Sequence, residues 1–198
     1  PSTQKLELEA LKLALSGKQG TNGFGASLEW PQLAVAGEQL QGSGFSGRFN
    51  LDGKTTLAGS FESGAPSGNF DALRLPAFAL KVAGSSGPRK IDGQLKSNLL
   101  LRPGRNAATM EKLELRANIT EPGLQPLALA LGGNAGVDAR GAQWALQGAL
   151  NNNKFDSTGS ATFNAAVPVV QANARFDRLD LNQVLAPSTG AAASAATA

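Results

Sequence analysis

Apolar residues recur at every second position along much of the chain, and clusters of Gly, Pro, Asn and Asp interrupt them at intervals of roughly ten to twenty residues. Phe45, Gly47, Phe49 and Leu51 share one parity, with Ser46, Arg48 and Asn50 on the other. Asp52-Gly53 follows, a pair whose tolerance of positive φ suits a two-residue hairpin, and the return carries Leu57, Gly59 and Phe61. The alternation returns in Phe78, Leu80 and Val82, then in Leu95, Ser97, Leu99 and Leu101. In the next run Leu113, Leu115, Ala117 and Ile119 alternate with Glu114, Arg116 and Asn118. Leu127, Leu129 and Leu131 come next, then Trp144, Leu146, Gly148 and Leu150, then Val170, Ala172, Ala174 and Phe176. Each run predicts a strand with one buried face.

The separators are strong breakers: Gly64 to Gly68 with Pro66, Gly84 to Pro88, Pro103-Gly104, Pro122-Gly123, Gly132 to Gly136 and Asn151 to Asn153. These gaps are too short for crossover helices, so antiparallel hairpins are the economical connection. Lys5 to Leu15 is the ambiguous stretch. Its residues favour helix, and Leu8, Leu11 and Leu15 fit helical spacing. Strand is the preferred reading: Leu6 and Leu8 hold one parity and Leu11, Leu13 and Leu15 the other, a slip that a bulge near Ala10 absorbs. Asp92-Gly93 sits in phase between Ile91 and Leu95 and is placed inside a strand. A loose apolar-x-Gly recurrence (Leu57 to Gly59, Ile91 to Gly93, Leu146 to Gly148) points to stacked hairpins without a fixed period.

The expectation is therefore one all-β domain over residues 1–187, a large curved antiparallel sheet of about a dozen strands. It either forms a hydrophobic groove or closes on itself as a sandwich. Residues 188–198, all Ala, Ser, Thr and Gly, read as a flexible tail or linker, and a short helical piece is expected near Leu181 to Leu185. A length of 198 residues supports one domain.

Composition narrows the chemistry. With no Cys there is neither a disulfide nor a thiolate site, and with no His the usual general base and the commonest metal ligand are both missing. No cofactor, no metal site and no enzymatic activity are expected. The charge of +3 comes from scattered Lys and Arg, with Arg89-Lys90 the one adjacent basic pair, and Tyr is absent, so nucleic acid is not an expected partner.

Three motif matches dissolve on context. Gly42-Ser43-Gly44-Phe45-Ser46-Gly47 fits a dinucleotide-binding string but leads into an alternating strand, where no helix N-terminus waits for a phosphate. Gly17-Lys18-Gln19-Gly20 lacks the spacing of a phosphate loop and reads as a hairpin tip, and Asn118-Ile119-Thr120 is a coincidental glycosylation sequon. Asp177 and Asp180, three apart on a strand, point to opposite faces and cannot share a substrate. Trp144, in phase with Leu146 and Leu150, reads as a core residue, whereas Trp30, before Pro31, has no clear place in the pattern.

The segment from Gln171 through Phe176-Asp177-Arg178-Leu179-Asp180-Leu181-Asn182 to Leu185 resembles the closing strand of the AsmA family of Gram-negative envelope proteins. The Gly-containing stretch from Phe155 to Phe163, followed by Pro168 and another strand, is similar to that family too, as is the Leu-rich texture of most of residues 1–187. The resemblance implies a periplasmic β-rich body, attached to the inner membrane outside this sequence, that takes part in outer-membrane assembly and phospholipid movement. It carries no catalytic residues with it. The expected lipid-lining positions are Leu80, Val82, Leu99, Leu101, Leu113, Leu115, Ile119, Leu127, Leu129, Leu131 and Leu146. The expected partner is a phospholipid or other acyl-chain lipid, because a Leu-rich face offers about 0.8 kcal/mol per buried methylene and few directional contacts. The alternative is a non-enzymatic scaffold with a dry core whose sheet edges recruit other envelope proteins.

Overall fold

The computed structural model describes residues 5–163 and 167–178. Its strands are β1 (Lys5–Gln19), β2 (Asn22–Ala36), β3 (Gln39–Gly42), β4 (Phe45–Asp52), β5 (Thr55–Ser63), β6 (Ser67–Asn69), β7 (Ala72–Ser86), β8 (Arg89–Arg102), β9 (Ala107–Thr120), β10 (Leu127–Val137), β11 (Gly141–Leu150), β12 (Asn153–Thr162) and β13 (Val169–Phe176). All thirteen belong to one antiparallel sheet. The single helical element among the described residues is a 3-10 turn at Pro103–Arg105. Lys5 to Leu15 is strand, as its slipped alternation requires.

The topology is a meander. β3 and β4 are one pass interrupted at Ser43-Gly44, since both pair with β2, and β5 and β6 are one pass interrupted at residues 64–66, since both pair with β7. Tight turns join most passes. Gly37 and Gly87, each at φ 59°, open the turns between β2 and β3 and between β7 and β8, the backbone sign that matches the twist of a hairpin. Asn151 and Asn152, at φ 45° and 68°, do the same between β11 and β12.

A row of irregularities crosses the sheet at one level. It runs from Ala10 in β1, at φ 54°, past Pro31-Gln32 in β2 and the two interruptions, to Pro76-Ala77 in β7, Lys112 in β9 and Gly133-Asn134 in β10. Each is a local loss of ladder bonding, and neighbouring side chains supply the missing partners. The Ala77 N–H donates to Asn98 Oδ1 at 3.0 Å and the Lys112 N–H to Asn134 Oδ1 at 3.2 Å. The Gln32 N–H donates to Ser43 Oγ at 3.0 Å, and the hydroxyl of Ser97 donates to the Glu111 carbonyl at 3.0 Å. Ser63 and Ser97, buried on this row, are thus polar residues with a structural reason to be inside.

Several expectations are corrected. Gly132 to Gly136 is no separator; it lies within β10, where Gly133 at φ 143° lets the Ala145 carbonyl approach closer than any Cβ allows. Gly64 to Gly68 interrupts a pass, and the turn itself falls at Phe70-Asp71. Asp52 still belongs to β4, held opposite Gly23 of β2, and the last pair before the turn is Leu51 with Leu57, a wider connection than a two-residue hairpin. Of the two ways to shelter the apolar face, the sandwich is not the one found: the described strands make a single sheet, and each packs against its sheet neighbours. The Leu179 to Leu185 segment, its expected helical piece, Asp180 and the 188–198 tail lie outside the described residues.

Candidate functional site

Register decides which side chains share a face, because directly paired residues of antiparallel strands point the same way. Leu80, Leu95, Leu115 and Leu131 form one transverse row across β7 to β10, and Val82, Gly93, Ala117 and Leu129 form the next. Ile91, Ile119 and Leu127 make a third. Leu99 lies between Leu75 and Met110, Leu101 between Leu73 and Ala108, and Leu113 opposite Gly133, which in turn faces Leu146. All eleven positions expected to line a lipid path therefore stand on one face. Row by row the opposite face is polar: Lys96 pairs with Glu114, Gln94 with Arg116, and Asp92 with Asn118.

The bulges keep this segregation intact. An alternating strand that loses one residue of phase turns its apolar set to the wrong side, and a bulge of one residue restores it. Leu75 and Phe78, three apart, both reach the apolar face because Pro76-Ala77 absorbs the odd residue; Met110 and Leu113 do so through Lys112. Sequence reading placed the slip at Ala10 but missed these two, so it read β7 and β9 shorter than they are.

Aromatic rings lie across glycines on the apolar face. The ring of Phe61 covers Gly47, Phe49 covers Gly59, Phe24 covers Gly17 and Trp144 covers Gly159, each pair directly opposite in the ladder. A Cβ on any of these glycines would collide with its ring. The rings thus fold down along the sheet and do not stand away from it. Trp144 keeps its indole N–H bonded to Ser157 Oγ at 3.1 Å. Trp30, the residue without a place in the sequence pattern, sits on β2 against the ring of Phe45, 5.0 Å away, with its N–H on the Ser43 carbonyl.

Shelter on this face varies. Leu75 and Leu113 near the centre are 8% and 7% exposed, while Leu13, Leu15 and Val170 on the edge strands are 54%, 64% and 63% exposed. Among the described residues no side chain is fully buried; Leu40, Leu75 and Leu113 are the best-sheltered apolar ones on this face, and Leu100, paired with Arg74 and Thr109, is similarly sheltered on the opposite face. The depressions found on the polar side are of a different kind. One of about 720 Å³ runs past Asn134, Gln143, Thr158, Ser160, Gln171 and Asn173 and is lined by no charged residue. The described residues hold no cluster of acidic groups arranged for a metal ion, and no helix among them is long and apolar enough to cross a membrane. Comparison with protein-family models, curated proteins and solved structures finds no match to this chain.

Proposed function

We propose that the apolar face of this sheet carries phospholipid or another acyl-chain lipid, and that the chain is a non-enzymatic part of the machinery of outer-membrane assembly. What supports the lipid reading is one observation: a thirteen-stranded sheet is apolar on one face and polar on the other, and no second layer among the described residues packs on the apolar one. Acyl chains suit such a surface. They gain burial from rows of Leu without directional polar contacts, and they lie along rings already folded flat onto the sheet. The periplasmic location, with attachment to the inner membrane, rests on the AsmA resemblance.

The test is photo-crosslinking to labelled phospholipid from a probe at position 115, beside mass spectrometry of an organic extract of the purified chain. Crosslinking that is lost in a folded Leu115→Asp variant supports the lipid reading. A parent protein that neither crosslinks nor co-purifies with lipid, in which Leu115→Asp simply unfolds the sheet, points to a scaffold that uses this face as a dry core.

A further inference from the structure

We propose that β1 is a self-association edge, pairing antiparallel with β1 of a second copy about a two-fold axis between Ala10 and Leu11, so that two sheets join into one. β1 runs fifteen residues and pairs with β2 along one side; it is the first strand of the sheet, and β2 is its ladder partner. No strand among the described residues pairs with its other side, where the backbone N–H and C=O groups are placed to accept a further strand. The strand has no Pro, and Leu6, Leu13 and Leu15 are more than half exposed. The opposite edge is a weaker candidate, because β13 is only eight residues long.

The occupant is read from the strand's own pattern. The phase slip at Ala10 means that Leu6 and Leu8 share a face with Leu11, Leu13 and Leu15, since their partners Val35, Leu33, Trp30, Leu28 and Ala26 do so on β2. An antiparallel copy placed with its axis between residues 10 and 11 sets Leu6 opposite Leu15 and Leu8 opposite Leu13 on the apolar face. On the polar face the same register sets Glu9 opposite Lys12 and Glu7 opposite Ala14, so each dimer holds two Glu9–Lys12 pairs and no like charges face one another. Moving the axis by half a residue, onto Leu11, would put Glu9 against Leu13. The strand is thus complementary to itself in hydrophobic pattern and in charge, the requirement of an isologous interface. The joined sheet keeps both apolar faces on one side, and this association stands whether or not that side carries lipid.

The chain has no native Cys, so introduced thiols report on the interface without background. Light scattering of the purified chain is expected to give twice the 20.2 kDa monomer mass. Glu9→Lys and Lys12→Glu each turn two attractive pairs into repulsive ones and should raise the dimer Kd by about tenfold. Mixing the two variants creates heterodimers with every pair attractive, and should restore association. A Leu8→Cys protein mixed with a Leu13→Cys protein should form the intermolecular disulfide, and neither should do so alone. Circular dichroism confirms that each variant remains folded. A chain that is monomeric overturns the proposal. So does a dimer indifferent to the Glu9 and Lys12 charges, the behaviour expected if two apolar faces simply stack.

Discussion

The middle of the sheet and its C-terminal end solve the same problem in different ways. From β7 to β9 the apolar face is built mainly of Leu, with Phe78, Val82, Ile91, Met110 and Ile119, two of the strands carry bulges, and Leu75 and Leu113 reach burial without any second layer among the described residues. From β11 to β13 the ladder runs without a register shift, the same face alternates Ala, Gly and Ser with Trp144, Leu146, Leu150, Phe155 and Phe176, and Val170 on it lies open to solvent. A bulge bends its strand and increases the local twist, which brings side chains of one face closer together. The difference teaches that burial in a one-layer protein comes from side chains of the same face sheltering each other. Bulges and large residues together make that possible; regular strands with small residues do not.

The comparison breaks most readily by placing a charge in each region. Leu113→Asp puts a carboxylate at a position only 7% exposed, and a loss of about 3–5 kcal/mol is expected in chemical denaturation. Ala172→Asp, on the same face but exposed on β13, should cost under about 1 kcal/mol. Equal losses would mean that the two regions are sheltered alike.

A smaller effect tests the folded-down rings. Gly59→Val forces the Phe49 ring upright and also presses on the Lys81 carbonyl, and Gly159→Val does the same to Trp144 and the Gln171 carbonyl. Overpacking of this sort costs about 1–3 kcal/mol. The central site, several strands from either end of the sheet, should lose more than Gly159 on the strand beside β13, and indole fluorescence of the Gly159 variant should shift to the red as Trp144 leaves its place. An unchanged melting temperature in both would show that the rings move freely.

How much of this was legible in the sequence depends on which feature is asked about. Strand and face were plain wherever strict alternation holds, as from Leu113 to Ile119, because period two maps directly onto a pleated sheet. Gly133 misled, since a glycine-rich run reads as a turn unless one knows that the Ala145 carbonyl of the next strand needs the space. The bulges left a trace that only Ala10 yielded: apolar residues three apart between alternating runs, at Leu8 and Leu11, Trp30 and Leu33, Leu75 and Phe78, and Met110 and Leu113. That spacing also occurs in helices, so the sequence alone did not separate the two. The alignment of these slips into one transverse row depends on register, which single-strand patterns do not carry.

The smallest predicted effect concerns the amides that cap the bulges. Ala77 at φ 50° and Lys112 at φ 53° are non-glycine residues in left-handed backbone, and each has its N–H turned out of the ladder toward an Asn of the following strand, Asn98 or Asn134. At the matching place beside Ala10 the following strand offers Pro31, which has no N–H to leave unpaired. Asn98→Ala and Asn134→Ala therefore each remove one hydrogen bond whose donor is reachable by water, worth about 1 kcal/mol. Amide exchange at Ala77 and Lys112 should quicken selectively, while exchange in the unbulged stretch from Leu115 to Ile119 should hold its rate. Asn118→Ala, on the polar face away from the bulges, should do neither. If removing Asn98 leaves the exchange at Ala77 unchanged, the bulge is held by the packing of Leu75 and Phe78 alone, and the amide is incidental to the burial that sets the middle of the sheet apart from its end.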